Sequence, residues 1–309
     1  MPRRAVAHLS SAPDQPVVLD GGLATRLEAR GHDLSGDLWS AQLLLDRPDE
    51  IEAAHVDFFE ARAQVATSAS YQLSREGLAA LGREDDFEAL LRRSVERARA
   101  AAEPYAGLVA ASIGPYGAML ADGQEYTGAY QLDPATEVDW LRKWHRPRLE
   151  ILADAGADLL AIETIPCLAE VEALLAEAER VGVPCWLALT ADGPHTRRGE
   201  PIAEAFSAAG DVAQVLAVGV NCCPPDAVTD LVRSAARLSG KPAIAYPNSG
   251  ETWLGDARAW SGASHASVER LARLSGEWVS AGARWIGGCC RVGPSEIAEI
   301  AELAASLGS

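Results

Sequence analysis

Eight short apolar runs recur along this chain, and segments with helical spacing separate them. The runs fall at 17–20, 64–70, 108–114, 158–163, 185–190, 215–222, 243–248 and 285–290. Most do not alternate apolar with polar residues, which is the pattern of strands buried on both faces. Between them, apolar residues return every three or four positions, as helices that bury one face require. Ile51, Ala54, His55, Phe58 and Phe59 form one such stripe. Val171, Leu174 and Leu175, then Val228, Leu231 and Val232, then Leu271, Leu274 and Trp278 form others. Gly293-Pro294-Ser295 reads as a helix start ahead of Ile297, Ile300 and Leu303. Strands alternating with helices imply a parallel sheet with right-handed crossovers. Eight strands is also the number that closes an α/β barrel of the (β/α)8 TIM type, whose active sites lie at the C-terminal ends of the strands. A doubly wound open sheet is the competing architecture. No Gly-x-Gly-x-x-Gly follows the first run, which counts against its dinucleotide-binding version. No low-complexity stretch or linker divides the chain, so residues 1–309 are expected to form one barrel domain. The two long loops, 115–135 and 247–264, each follow a strand and so belong on the C-terminal face of a barrel.

In such a barrel Asp20, Glu163, Cys222, Asn248, Cys289 and Cys290 all fall at C-terminal strand ends. Adjacent cysteines do not readily pair with each other. Their Cα atoms sit ~3.8 Å apart, below the ~4.4 Å at which unstrained disulfides begin. They can offer two thiolates to one metal, provided the backbone leaves the pleat that points successive side chains to opposite faces. Gly287 and Gly288 make that departure inexpensive. A third thiolate candidate lies in Asn221-Cys222-Cys223. Any one of these cysteines alone reads as a small buried packing residue. The vicinal pair with a third at another strand end favours a metal site. Three thiolates with no obvious fourth protein ligand suit zinc with one open position. So thiolate-rich a centre activates water poorly but accepts a substrate thiol, which loses its proton near neutral pH and stays nucleophilic. Alkyl transfer onto sulfur is therefore expected rather than hydrolysis. His8, His32, His55, His145, His195 and His265 show no metal-ligand spacing, which counts against a zinc hydrolase.

The net charge of −17 argues against nucleic acid or an anionic membrane surface as partner. No apolar run is long enough to span a bilayer, and no signal core follows the basic start. The six cysteines lack the spaced framework of a small secreted protein. A reduced, cytoplasmic protein acting on small molecules is expected.

The chain resembles the homocysteine S-methyltransferase family. The resemblance rests on Leu19-Asp20-Gly21-Gly22, Thr67-Ser68-Ala69-Ser70-Tyr71, Gly114-Pro115-Tyr116-Gly117-Ala118, Glu163-Thr164, Gly219-Val220-Asn221-Cys222, Tyr246-Pro247-Asn248-Ser249-Gly250 and Ile286-Gly287-Gly288-Cys289-Cys290-Arg291. It runs from about Val18 to Ala298. The stretch Leu120-Ala121-Asp122-Gly123-Gln124-Glu125-Tyr126 is most similar to the branch that takes methyl from S-methylmethionine. The resemblance implies zinc-dependent methyl transfer from a sulfonium donor, S-methylmethionine or S-adenosylmethionine, to homocysteine, giving methionine. It implies Zn2+ ligation by Cys222, Cys289 and Cys290, with Cys223 a competitor for Cys222. Asn248 would be a displaceable fourth ligand, or else only a turn residue. Asp20, Gly21, Gly22, Ser68 and Glu163 would bind homocysteine, with Glu163 on its amino group and the glycines offering N–H groups to a carboxylate. Trp39 and Tyr71 would lie near the donor, whose cationic sulfur aromatic faces attract. No separate general base is assigned. Betaine as donor, a different thiol or selenol as acceptor, and a non-enzymatic zinc or thiol redox sensor are the competing readings.

Overall fold

Each of the eight apolar runs overlaps one strand of a parallel sheet; most strands are shorter than their runs, but the fourth continues to Ile165 and the eighth begins earlier, at Ala283. The computed structural model describes residues 15–34, 40–120, 122–254, 259–261 and 268–307. The strands are β1 Val17–Val18, β2 Val65–Thr67, β3 Leu108–Ile113, β4 Leu159–Ile165, β5 Cys185–Leu189, β6 Val215–Asn221, β7 Ala243–Tyr246 and β8 Ala283–Ile286. They pair in chain order from β2 to β8, and β8 pairs with β1. An isolated parallel bridge between Leu19 and Val65 joins β1 to β2 and closes the circle. A helix follows each strand: α1 Pro48–Glu60, α2 Phe87–Ala102, α3 Glu137–Asp154, α4 Leu168–Val181, α5 Ile202–Gly210, α6 Val228–Ser239, α7 Val268–Ala281 and α8 Pro294–Leu307. This is the (β/α)8 barrel of the TIM type. Among the described residues, no helix is long and apolar enough to cross a membrane.

The helices form where the apolar stripes predict them. Helix α1 starts at Pro48, whose missing N–H costs nothing in the first turn, with Asp49 and Glu50 beside the positive end of the helix dipole. Ile51, Ala54, His55, Phe58 and Phe59 are its buried face, packed on the strands. Truncating Phe58, which is fully buried, to alanine would cost about 3–5 kcal/mol. His55 is fully buried, and neither ring nitrogen has a partner among the described residues. Burial pushes its pKa down to about 4.

A second core fills the barrel itself. Trp186, Tyr246 and Trp285 occupy the lumen, and Ala110, Ala161, Ala188 and Ala217 leave room for them. The Trp186 ring lies 5.9 Å from Trp285 and 6.1 Å from Tyr246. Pairing large rings with small neighbours fills a barrel to crystal-like density. Trp186 Nε1 donates to the Tyr246 hydroxyl at 2.8 Å, so the plug ends in a polar group below the site.

The loops carry more structure than their sequence suggests. The segment 115–135 contains a short helix, Tyr116–Leu120, and a 3-10 turn, Gln124–Tyr126. Glu170 of α4, fully buried, pins both ends of it. Its carboxylate accepts from Tyr116 N at 2.6 Å, the Tyr130 hydroxyl at 2.6 Å and His145 Nε2 of α3 at 2.8 Å. The segment 247–264 contains an antiparallel pair, Thr252–Leu254 with Ala259–Ser261. A third excursion, Ala191–Asp192 paired with His195–Thr196 after β5, went unforeseen because two-residue strands carry no readable periodicity.

Candidate active site

Cys222, Cys289 and Cys290 converge at the C-terminal mouth of the barrel. Their sulfurs all lie within 4.8 Å of one another, the Cys222–Cys290 pair at 3.7 Å and the Cys289–Cys290 pair at 4.0 Å. Cys222 sits one residue beyond β6 with φ 47°, a left-handed turn that swings its thiol across the barrel mouth. The vicinal pair lies beyond Ile286, where the chain has left the pleat. Gly288 N donates to Asp20 O at 3.0 Å, and Cys289 N to Pro247 O at 2.8 Å. A turn from Cys289 O to Val292 N, 3.1 Å, lets both thiols face inward. Gly288 is required there, because a Cβ would stand 2.2 Å from Val292 Cγ1.

The donor set fits zinc. Tetrahedral Zn–S bonds of ~2.3 Å separate sulfurs by about 3.8 Å, close to the two distances quoted. Thiol donors from Cys289 and Cys290 hold the Cys222 pKa well below its ordinary value. The same donation to Cys222 pushes Cys289 and Cys290 well up. The trio thus carries one negative charge readily, and needs a cation to carry three. Cys223 is not part of it. Its side chain is fully buried in the layer between strands and helices, where burial pushes its pKa to about 12.

Three buried carboxylates, Asp20, Glu125 and Glu163, face the same cleft of about 870 Å³, part of it open to solvent. Glu163 on β4 is 7% exposed and takes hydrogen bonds from the Ser112 and Tyr246 hydroxyls. Burial pushes its pKa up to about 7 despite those donors. The next residue, Thr164, has φ 61°, unusual for a β-branched residue. Asn221 holds it there: Oδ1 accepts from Thr164 N at 2.7 Å and Nδ2 donates to Thr164 Oγ1 at 2.8 Å. Asp20 takes Thr67 N at 2.7 Å and Thr67 Oγ1 at 2.9 Å, yet burial lifts its pKa to about 8.

The other expected residues divide. Gly21, Gly22, Ser68 and Tyr71 line the cleft. The Gly22 N–H is already engaged by Val292 O at 2.9 Å, so it is not free for a ligand carboxylate. The Ser68 hydroxyl meets Ser70 Oγ at 2.9 Å and accepts from Ser112 N at 3.3 Å. Asn248 is buried just after β7, and its Oδ1 accepts from Gly250 N at 2.9 Å, the turn role. Trp39 lies outside the described residues.

Sequence reading did not single out Glu125, Arg197 or Asn221. The Tyr126 hydroxyl stands 3.2 Å from Cys222 Sγ, and Arg197 lies over the Tyr126 ring at 5.9 Å. Glu125, 3% exposed, also lines the cleft, and burial pushes its pKa up to about 7. Its only signal in the sequence is membership of the 120–126 stretch.

Comparison with known proteins agrees with this geometry. A family model described as homocysteine S-methyltransferase matches residues 17–304. The chain is 41% identical over 305 residues to homocysteine S-methyltransferase YbgG of Bacillus subtilis, covering 94% of this chain and 95% of that protein. It is 42% identical over 300 residues to a homocysteine S-methyltransferase of Escherichia coli, covering 92% and 94%. The metallated form of the homocysteine methyltransferase MmuM from Escherichia coli superposes with TM-score 0.83 at 38% identity, covering 99% of this chain and 100% of that one. A Methanosarcina mazei methyltransferase, 10% identical with TM-score 0.63, shares the fold.

Proposed function

The chain belongs to the homocysteine S-methyltransferase family, and from that premise we propose that it moves a methyl group from a sulfonium donor, S-methylmethionine, to homocysteine with the help of zinc. The observation that carries this reading is the trio of thiols, with pairs 3.7 and 4.0 Å apart, beside three buried carboxylates in one cleft. Cys222, Cys289 and Cys290 would hold the ion. Zinc in such a set supplies deprotonation of an incoming thiol near neutral pH, leaving its sulfur nucleophilic.

The remaining work falls to this chain's own residues. Glu163, held by Ser112 and Tyr246, takes the ammonium of homocysteine, and that cation restores its ionised form. Asp20, which lines the same cleft, adds a second negative charge for the same amino acid. Tyr71 and Tyr126 offer ring faces to the sulfonium, each worth ~0.5–2 kcal/mol depending on desolvation. The methyl–sulfur bond of the donor breaks with its electron pair left on that sulfur, as homocysteine sulfur bonds the methyl carbon. The leaving group is a neutral thioether, so no general acid is needed. What the protein supplies is alignment and exclusion of water. All six cysteines are free, as a thiolate centre requires, and we place the protein in the reducing cytoplasm.

The test is methionine formation from homocysteine by zinc-loaded protein, with S-methylmethionine, S-adenosylmethionine and betaine supplied separately. Turnover with S-methylmethionine supports the reading. Turnover with betaine alone overturns the donor. Equal turnover after zinc is stripped overturns the metal.

A further inference from the structure

The cleft is lined by Asp20, Glu125 and Glu163 as well as three cysteines, and no lysine, arginine or histidine is among its described lining residues. Two of these carboxylates have partners. Asp20 is held by Thr67, and Glu163 by Ser112 and Tyr246. Glu125 differs. It is 3% exposed, and its Oε2 is buried with no partner among the described residues. Among the described residues its carboxylate takes a hydrogen bond only from a backbone N–H, so an ionised carboxylate here is costly, and a cation offsets the cost. Glu125 rides the Gln124–Tyr126 turn, next to the residue whose hydroxyl touches Cys222 Sγ. Its carboxylate lines the same cleft as the thiol trio, near enough to Cys222 for their charges to interact.

We infer that Glu125 supplies the anionic contact for the positive charge of the methyl donor, and so selects a cationic donor. This rests on the sulfonium reading above. The contact has a direction in time. The donor sulfur is cationic before transfer and a neutral thioether after it, because the electron pair of the broken bond stays on that sulfur. Glu125 thus grips the donor more strongly than the transition state or the product. Its removal weakens donor capture without slowing the bond exchange, and the product leaves a site that no longer holds it.

The experiment compares unmodified and Glu125→Gln proteins, both zinc-loaded, with S-methylmethionine at saturating homocysteine. The KM for S-methylmethionine should rise about tenfold or more, the scale of one charged contact. At the same time kcat should not fall, and zinc content and the KM for homocysteine should hold. Glu125→Asp should recover part of the loss. Calorimetry gives a second reading: the variant should lose affinity for S-methylmethionine but not for methionine, which lacks only the sulfonium charge and its methyl. An unchanged KM overturns the role of Glu125. So does a fall in kcat together with lost zinc or homocysteine binding, which marks a merely structural turn. Should Glu125→Gln not fold, Glu125→Asp and the binding preference of unmodified protein for S-methylmethionine over methionine decide; no preference overturns the inference. If unmodified protein takes no methyl from any sulfonium, the donor reading itself fails; if it does and Glu125→Gln keeps its KM, only the inference fails.

Discussion

Thr164, Cys222 and Arg291 are non-glycine residues with positive φ, and each belongs to the site or adjoins it. Backbone held in that region costs of order 1–3 kcal/mol per residue and persists where surroundings over-determine it. Asn221 does so for Thr164, and thereby fixes Glu163 one residue earlier. The left turn at Cys222 separates two neighbours with opposite fates: Cys222 enters the trio, while Cys223 enters the core. Alanine at Cys222, Cys289 or Cys290 should therefore lower zinc content by metal analysis and methyl transfer by more than about 100-fold, since even outer-shell partners of a metal are worth 10–100-fold. Cys223→Ala should leave zinc and turnover in place and lower stability by about 1 kcal/mol. Loss of zinc in Cys223→Ala alone would reverse the assignment. Glu163→Gln tests the second anchor. Removing a charged hydrogen bond should raise the KM for homocysteine by about 10–100-fold with zinc retained. In unmodified protein Glu163 ionises near pH 7, so homocysteine affinity should climb as pH rises through about 7. The variant should lack that component, which binding measurements across pH 6–8 would reveal.

At the level of elements, the strands deliver residues to the barrel mouth and the loops decide how they face. Glu170 on α4 ties α3 to the loop that bears Glu125 and Tyr126, through Tyr116 N, the Tyr130 hydroxyl and His145 Nε2. Glu170→Ala should free that loop without touching the trio. Hydrogen exchange should speed across 116–130, and kcat/KM for the donor should fall by about 10-fold or more while zinc content holds. Unchanged exchange across the loop would refute this role. The strands were legible because Val215 to Val220, for example, cannot be mistaken for a solvent-facing segment. The convergence of the three thiols was legible because residues at strand ends meet at one mouth of a barrel. Glu125 and Asn221 were not, because their surroundings are brought by other elements: Asn221 meets Thr164, 57 residues away, and one oxygen of Glu125 is buried with no partner among the described residues. Gly22 failed as a free N–H donor for a similar reason, since the Val292 carbonyl that occupies it arrives from the far end of the chain.

The whole barrel closes at a thin seam. Strand β1 has two residues, and beyond the Leu19–Val65 bridge its contact with β2 rests on few groups. Gln64 N donates to Val18 O at 2.7 Å, Val18 N to Gln64 Oε1 at 2.9 Å, and the Asp20 carboxylate holds Thr67. Asp20 therefore closes the fold and faces the cleft at once, and these duties conflict over its charge. Burial raises its pKa from 3.8 to about 8, so between those values the folded protein holds a proton that the unfolded chain has lost. Stability from this group is full below about pH 4 and is lost as pH rises toward 8. Asn mimics the protonated acid: its oxygen can accept from Thr67 N and its amide can donate to Thr67 Oγ1. Asp20→Asn in metal-free protein should therefore match the parent near pH 4 and gain on it as pH rises, by up to about 1.4 kcal/mol per unit. His55, whose buried neutral ring opposes acid below pH 6.5, is present in both proteins and cancels from the difference. Homocysteine should reverse the order in zinc-loaded protein at pH 8, because its ammonium stabilises the ionised carboxylate that the variant lacks. Melting curves of both proteins at pH 5, 6.5 and 8, bare and loaded, check this. A variant whose advantage shrank with rising pH would mean that Asp20 is ionised in the bare fold, and that the seam is held by a charge rather than a proton.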